Sequence, residues 1–146
     1  GRSVVVLCEG DPFLYGSFMY LFGRLSGQYQ NEVVPGVSSI CACAAVAGQP
    51  LVSRNQVLSI VPAPLEESDL EARIAGADAV AIMKVGRHLA KVRRVLEKLG
   101  RMQGAVYVER ATLTDERVMP LGDLEADKAP YFSMILARRV EAVDAQ

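Results

Sequence analysis

One recurring pattern most limits the folds open to this chain. A short valine-rich run ends in a loop that contains Gly and Pro, and an amphipathic segment follows the loop. Residues 3–8 (SVVVLC) form a continuous apolar run typical of a buried strand, and the loop EGDP follows at once. In residues 13–25 the apolar side chains recur every three or four positions, as on one face of a helix. Strand, loop and helix in this order predict an α/β layer built on a parallel sheet.

The same alternation continues along the chain and predicts an α/β architecture throughout. Further strands are predicted at residues 31–34, 56–61, 79–83, 105–108, 117–121 and 131–136. Further helices are predicted at residues 40–47, 65–74 and 87–99. Gly48, Gln49 and Pro50 interrupt the pattern, so a boundary between two domains is expected soon after them.

Composition limits the classes of function. The chain has 146 residues, of which 51% are hydrophobic, and 16 basic residues against 17 acidic ones give a net charge of −1. This balance is typical of a folded globular protein and excludes disorder as the main state. Because a dedicated nucleic-acid binder carries a basic excess, we expect small-molecule partners and no nucleic acid.

The cysteines and the uncharged stretch point to a cytoplasmic protein without metal or membrane contacts. Cys8, Cys41 and Cys43 lack the spacing of a metal site, and all three are expected to be reduced and buried. Residues 33–53 carry no charge, but prolines and glycines interrupt them, so no membrane span is predicted. No charged-then-apolar leader is recognised at residue 1, so neither a signal peptide nor an anchor is expected.

Two strand-to-helix loops carry polar groups suited to binding a small molecule. The first contains Gly10, which permits close backbone approach, and Asp11, which can accept hydrogen bonds from a ligand. The second contains Ser38 and Ser39, beside the free N–H groups of a helix start. Ligands bind at the carboxyl ends of strands in open α/β sheets, so the two loops could line one pocket. Ordinary helix capping explains each loop equally well.

A second polar cluster comes after the predicted strand AVAIM. Lys84, Arg87 and His88 lie at the turn into the next helix and face either solvent or a polyanionic ligand. The helix that begins there carries a basic stripe, for which a solvated surface is the ordinary explanation. Glu109 and Arg110 close the following strand and either pair with each other or join a polar edge of the sheet.

Taken in order, the segments CEGDPFLYGSFMYLF, EVVPGVSS, MKVGRH, YVERAT and PYFSMIL resemble the tetrapyrrole methylases. The GDP and PGVSS loops are similar to the family at large, and the other segments to its branch that methylates C-20 of precorrin-2 in cobalamin biosynthesis. The resemblance extends over essentially the whole chain. It implies a tetrapyrrole methylase fold, with an incomplete first α/β domain (residues 1–52) and a second α/β domain with a mixed sheet (residues 53–146).

The resemblance also implies an S-adenosylmethionine (SAM)-dependent C-methyltransferase that is a homodimer, holds SAM in a cleft between its domains and takes precorrin-2 as substrate. The SAM contacts carried over from the family are Glu9, Gly10, Asp11, Leu14, Ser38, Ser39, Met83, Lys84 and Ala111, with residues 130–132 as a further candidate. The substrate carboxylates are expected to meet Lys84, Arg87, His88 and Arg110, with Arg24 as a weaker candidate. Glu109 is a candidate base for the C-20 proton, with solvent as the alternative, and no metal is expected.

The sequence departs from the family pattern at one point. The family's glycine-rich GxGPGDP loop and about the first third of its chain do not occur in these residues, so residues 1–146 alone are expected to be inactive in methyl transfer. Two alternatives stay open. One is another methylase of the superfamily, acting on a later precorrin, on diphthine or on ribosomal RNA. The other is a non-catalytic segment that forms a dimer or binds a ligand.

Overall fold

The computed structural model describes residues 3–139, and the chain divides into two compact units, Gly1–Ala42 and Cys43–Gln146. The helices are α1 (Phe18–Leu25), α2 (Ser39–Val46), α3 (Glu67–Ala75) and α4 (Leu89–Lys98). The strands are β1 (Leu58–Pro62), β2 (Ala79–Met83), β3 (Val106–Glu109), β4 (Arg117–Pro120) and β5 (Ser133–Arg138). Single 3₁₀ turns lie at Gly86–His88, Met102–Gly104 and Leu121–Asp123. The family-based domain boundary after residue 52 stays a prediction.

In the first unit the predicted strands at residues 3–8 and 31–34 are wrong. Neither segment is a strand, and no parallel sheet forms within residues 3–42. The apolar run is not buried either, since Val4, Val5 and Leu7 are 86%, 80% and 91% exposed. A strand is stabilised by ladder hydrogen bonds and by packing on a neighbour, and a valine-rich composition supplies neither by itself.

The helix predicted from residue 13 begins only at Phe18. A turn precedes it, in which the Leu14 amide donates to the Asp11 carbonyl at 3.3 Å. Three aromatic rings, of Phe13, Phe18 and Phe22, cluster with centroid separations between 4.9 and 6.1 Å. The apolar residues whose spacing predicted one longer helix are therefore divided between the turn and α1, and the aromatic rings of both elements still pack together.

In the second unit a mixed five-stranded sheet has the order β1-β2-β5-β3-β4. β1 and β2 are parallel, β5 is antiparallel to both β2 and β3, and β4 is antiparallel to β3. The prediction of a second α/β domain with a mixed sheet is confirmed. β1, β2 and β3 run in the same direction, so the residues that follow them (Ala63, Lys84 and Arg110) share one side of the sheet, here called the carboxyl edge.

The core of the second unit lies between one sheet face and two helices. Alternate residues of the central strands, Val80 and Ile82 in β2 and Ile135 and Ala137 in β5, are completely inaccessible to solvent. They belong to one buried cluster with side chains of α3 and α4: Leu70, Ile74, Leu89, Val92, Val95 and Leu96. Burying apolar side chains on this scale is the main stabilising contribution to such a unit.

The basic stripe of α4 is a surface feature, as its ordinary explanation requires. Arg94 pairs with Glu67 at 2.8 Å, and Lys98 pairs with Glu71 at 2.7 Å. The Arg94 and Lys98 side chains stay 59% and 66% exposed, so such pairs add little stability. Both ion pairs link a basic residue of α4 to a glutamate of α3.

The cysteine prediction is corrected in part. The structure gives Cys8, Cys41 and Cys43 as free thiols, but only Cys43 is buried, while Cys8 and Cys41 are exposed. Cys8 lies in the exposed apolar run, and Cys41 lies on a different side of α2 from Cys43. Burial raises the pKa of Cys43 to about 11, because a thiolate is poorly solvated inside a protein.

Candidate functional site

The Asp11 carboxylate fastens the two ligand-binding loops predicted in the first unit to each other. Its Oδ1 accepts a hydrogen bond from the Phe13 amide at 2.9 Å, and its Oδ2 accepts one from the Gly36 amide at 2.9 Å. The Gly36 bond is the largest of the influences that lower the pKa of Asp11. Asp11 is therefore an ionised crosslink between the GDP and PGVSS loops.

Glycine is required where these loops touch. A Cβ on Gly36 would lie 2.1 Å from the Gly10 carbonyl oxygen, a distance that no side chain can occupy. Gly10 itself has φ +74°, in the left-handed region that favours glycine. The sequence indicated a turn at Pro35 and Gly36 but contained no local signal of this close approach.

The serines of the second loop lie against Gly10. The position that a Gly10 Cβ would take is 3.9 Å from the Ser39 amide nitrogen and 4.0 Å from the Ser38 Cα. The Ser38 hydroxyl accepts a hydrogen bond from the Cys41 amide at 3.4 Å, so it also caps α2 as the ordinary explanation predicted. The structure thus brings Gly10, Asp11, Ser38 and Ser39 together.

Two residues at the carboxyl edge of the second unit adopt a strained backbone. Lys84 directly follows β2 with φ +56°, and Arg110 directly follows β3 with φ +50°. The left-handed region costs a residue with a Cβ roughly 1–2 kcal/mol. Such strain concentrates at functional sites, where surrounding contacts hold it in place. Neither residue type signals a left-handed backbone, so the sequence could not predict it.

The segment before β5 joins the two strained turns. The Ala129 amide donates to the Gly86 carbonyl at 3.0 Å, and the Arg110 amide donates to the Phe132 carbonyl at 2.9 Å. Tyr131 and Phe132 stack edge to face at 5.1 Å while remaining 87% and 53% exposed. The predicted candidates of the second unit, including residues 130–132, therefore lie along one connected edge of the sheet.

Glu109 is the buried centre of an ion-pair network at this edge. Its side chain is 7% exposed, accepts a hydrogen bond from the Tyr107 hydroxyl at 2.9 Å, and lies 3.4 Å from Arg110 Nη1 and 3.6 Å from Arg117 Nη1. Burial first, and then this hydrogen bond, raise the pKa of Tyr107. Arg110 also pairs with Asp115 at 2.6 Å. The role of Glu109 as a base stays a prediction.

Sequence reasoning paired Glu109 with Arg110 but missed the other members of the network. Tyr107 was detectable, because residues two apart in a strand point to the same face. Arg117 was not, since its approach depends on β4 pairing with β3 so that Arg117 stands opposite Glu109. Asp115 belongs to the same connection between β3 and β4.

The remaining predicted residues of the edge differ in exposure and charge. Lys84 and Arg87 are exposed, while Met83, His88 and Ala111 are half-buried. Burial, and after it the charges of Lys91 and Arg87, lower the pKa of His88 below its ordinary value of 6.5. The lowered pKa favours the neutral imidazole, which can donate a hydrogen bond.

Within residues 3–139 no group of three or more His, Cys, Asp or Glu side chains is arranged to hold a metal ion. No helix in that range is long and apolar enough to cross a membrane.

The family model for Tetrapyrrole (Corrin/Porphyrin) Methylases matches residues 1–125 of this chain. The chain belongs to the tetrapyrrole methylase family. A precorrin-2 C(20)-methyltransferase from Sinorhizobium sp is 46% identical over 136 residues, which are 93% of this chain and 56% of that protein. A cobalt-precorrin-2 C(20)-methyltransferase from Salmonella typhimurium is 30% identical over 141 residues, which are 95% of this chain and 60% of the relative.

Solved structures place the fold in the same family. Uroporphyrin-III C-methyl transferase from Thermus thermophilus, complexed with S-adenyl homocysteine, aligns with a TM-score of 0.61 and 27% identity. The alignment covers 87% of this chain and 62% of the Thermus protein. The chain thus spans less than two thirds of the proteins it matches.

Proposed function

We propose that this chain provides part of an enzyme that transfers the methyl group of SAM to C-20 of precorrin-2. The observation that carries the proposal is the 46% identity with a precorrin-2 C(20)-methyltransferase over 93% of the chain. Identity with the cobalt-precorrin-2 enzyme is lower, at 30%. This difference favours the metal-free substrate.

The loops of the first unit fit a SAM site. Gly10 and Gly36 let the two loops come into contact because neither carries a Cβ, and Asp11 links the loops through its hydrogen bonds. We assign SAM contacts to the residues predicted for them: Glu9, Gly10, Asp11, Leu14, Ser38, Ser39, Met83, Lys84 and Ala111. A family member bound to S-adenyl homocysteine supports SAM as the donor.

The proposed methyl transfer needs no nucleophilic side chain from the protein. SAM supplies an electrophilic methyl group on a sulfonium. The residues of this chain orient the donor and the C-20 carbon and exclude water, an effect worth about 7–11 kcal/mol at best. The hydrogen bonds by which Asp11 links the two loops serve this orientation. No metal is included in the proposal.

The carboxyl edge is proposed to bind the carboxylates of the substrate. Lys84, Arg87 and Arg110 provide positive charge, and charge-assisted hydrogen bonds to carboxylates are the strong ones. His88 is proposed to contribute a hydrogen bond. Arg110 already pairs with Asp115, so a substrate carboxylate has to compete with that side chain.

We further propose that the protein is cytoplasmic and forms a homodimer. Three free thiols suit a reducing compartment. The exposed side chains of Val4, Val5 and Leu7 form an apolar run, and we propose that either a second copy of the chain or another part of a longer protein covers it.

The experiment is a chimera in which residues 1–146 replace the matching segment of the Sinorhizobium precorrin-2 C(20)-methyltransferase. We expect the chimera to convert precorrin-2 and SAM into a product one methyl heavier, located at C-20 by NMR. Residues 1–146 alone, assayed in parallel, should give no product. A folded chimera that binds S-adenosylhomocysteine but leaves C-20 unmethylated would refute the proposed substrate.

Arg87→Ala in the same chimera separates the two binding roles. The KM for precorrin-2 should rise about tenfold or more, because a charge-assisted contact contributes roughly 1.5–3 kcal/mol, while SAM affinity stays unchanged. Arg73→Ala, which removes an exposed arginine from α3, is the matched control. Loss of SAM binding in the Arg87 variant would reverse the assignment.

A further inference from the structure

The guanidinium of Arg110 lies between two carboxylates of very different exposure. Its Nη1 is 3.4 Å from Glu109 Oε1 and donates a hydrogen bond to Asp115 Oδ2 at 2.6 Å. The Glu109 side chain is 7% exposed, whereas the Asp115 side chain is 59% exposed. Glu109 therefore meets the guanidinium from inside the second unit, and Asp115 meets it from the solvent side.

The inner carboxylate holds Arg110 at the carboxyl edge independently of Asp115. Glu109 Oε2 accepts the hydrogen bond from the Tyr107 hydroxyl and faces Arg117 Nη1, while Oε1 faces Arg110. A buried carboxylate needs partners of this kind, because an uncompensated buried charge is strongly destabilising. The attraction between Glu109 and Arg110 thus remains when the outer carboxylate is replaced by another anion.

The outer carboxylate does not shape the loop that carries it. Asp115 lies in the connection between β3 and β4. The Leu113 amide donates to the Arg110 carbonyl at 3.0 Å, and the Glu116 amide donates to the Leu113 carbonyl at 3.1 Å. The Thr112 amide donates to Glu116 Oε2 at 2.5 Å. None of these hydrogen bonds uses the Asp115 side chain, so that side chain can rotate away from Arg110 while the loop keeps its backbone bonds.

Replacing Asp115 by another carboxylate at Arg110 costs little free energy. The Arg110 side chain is 37% exposed, and ion pairs between side chains this exposed contribute little to stability because water solvates the separated charges well. An incoming carboxylate makes the same kind of charge-assisted hydrogen bond to the guanidinium. Once Asp115 has left, Arg110 and Arg117 share only the Glu109 carboxylate, so the pair of guanidiniums attracts a further anion.

We propose that Asp115 is a specificity-determining residue of the methyl-transfer site. In the free protein its carboxylate occupies the place on Arg110 that a carboxylate of the tetrapyrrole takes when the substrate binds. This inference rests on the proposed function, in which Arg110 is one of the residues that meet the substrate carboxylates. A substituent without negative charge makes no comparable bond to Arg110, so it does not displace Asp115.

Asp115→Asn in the chimera tests the proposal, because the amide keeps the size of the side chain and removes its charge. The KM for precorrin-2 should fall about two- to fivefold with kcat unchanged, since a weak competitor is removed from the binding step. In an Arg110→Gln background the same substitution should have no effect on KM. Asp123→Asn, which neutralises an exposed acid just beyond the other end of β4, is the matched control and should leave KM unchanged.

Uroporphyrin III, a stable tetrapyrrole polycarboxylate, gives a second measurement that needs no methyl transfer. Fluorescence titration should show tighter binding to the Asp115→Asn chimera than to the wild-type chimera or the Asp123→Asn control. A chimera that shows this order of affinities but leaves C-20 unmethylated would refute the proposed function and support the exchange at Arg110.

The exchange itself would be overturned by equal KM and equal uroporphyrin III affinity in the wild-type and Asp115→Asn chimeras. It would also be overturned if the Asp115 effect persisted in the Arg110→Gln background, because the effect would then be one of general charge. A folded chimera that neither methylates precorrin-2 nor binds uroporphyrin III would contradict both the exchange and the proposed function.

Discussion

Replacing Tyr107 by phenylalanine should destabilise the second unit through one hydrogen bond. The Tyr107 side chain is buried at 1% exposure, and its hydroxyl donates to Glu109 Oε2 at 2.9 Å. Phenylalanine keeps the ring and its packing, so the change removes only the hydroxyl. The Glu109 carboxylate loses its nearest partner and keeps Arg110 and Arg117 at 3.4 and 3.6 Å.

The size of the effect follows from the charge and burial of the acceptor. A hydrogen bond to a charged group contributes roughly 1.5–3 kcal/mol, and the remaining arginines keep Glu109 from being an unpaired buried charge. We therefore expect a loss of about 2 kcal/mol in the free energy of unfolding. For a unit of about 100 residues this lowers Tm by roughly 8–16 °C.

Urea and thermal unfolding of the 146-residue chain measure this loss, with Tyr131→Phe as the matched control. Tyr131 is 87% exposed, so its hydroxyl is solvated in the folded and unfolded states and its removal should change stability by less than about 0.5 kcal/mol. A double-mutant cycle with Glu109→Gln isolates the coupling between the two side chains. A Tyr107 variant as stable as the control would refute the argument.

The same hydrogen bond predicts an alkaline pH dependence. The pKa of Tyr107 is raised by burial and by Glu109, so the folded state holds the phenolic proton more tightly than the unfolded state does. This contribution to stability is complete below the unfolded pKa of about 10 and is lost as the pH rises through the folded pKa. Stability above pH 10 should therefore fall more steeply in the wild type than in the Tyr107→Phe variant. Parallel slopes would contradict this.

Two further predictions concern the first unit and the thiols. Gly36→Ala should weaken S-adenosylhomocysteine binding to the chimera about tenfold or more, since the added Cβ meets backbone and breaks a charge-assisted bond; calorimetry measures this. Gly27→Ala, which meets nothing within 4 Å, is its control, and equal affinities would exclude the loop contact. A thiol reagent at pH 8 should label Cys8 and Cys41 rapidly and Cys43 slowly, because burial raises the pKa of Cys43 to about 11. Equal rates by mass spectrometry would show that Cys43 is accessible.

The sequence by itself determined most of the second unit. Every predicted strand there lies within two residues of an observed one, and AVAIM matches β2 at both ends. α4 was predictable because its buried and charged residues alternate with the helical period. These features depend on residues close together in the chain, so a local pattern is enough to predict them.

Only the tertiary structure decided the features that require a distant neighbour. The apolar run at residues 3–8 has the composition of a strand but no ladder beside it. The need for Gly36 arises from the Gly10 carbonyl, more than twenty residues away. The left-handed backbone of Lys84 and Arg110 accompanies the placement of β5 between β2 and β3. Strand pairing and close backbone approach each depend on two segments that are distant in the chain. The local sequence of either segment is therefore not enough to predict them.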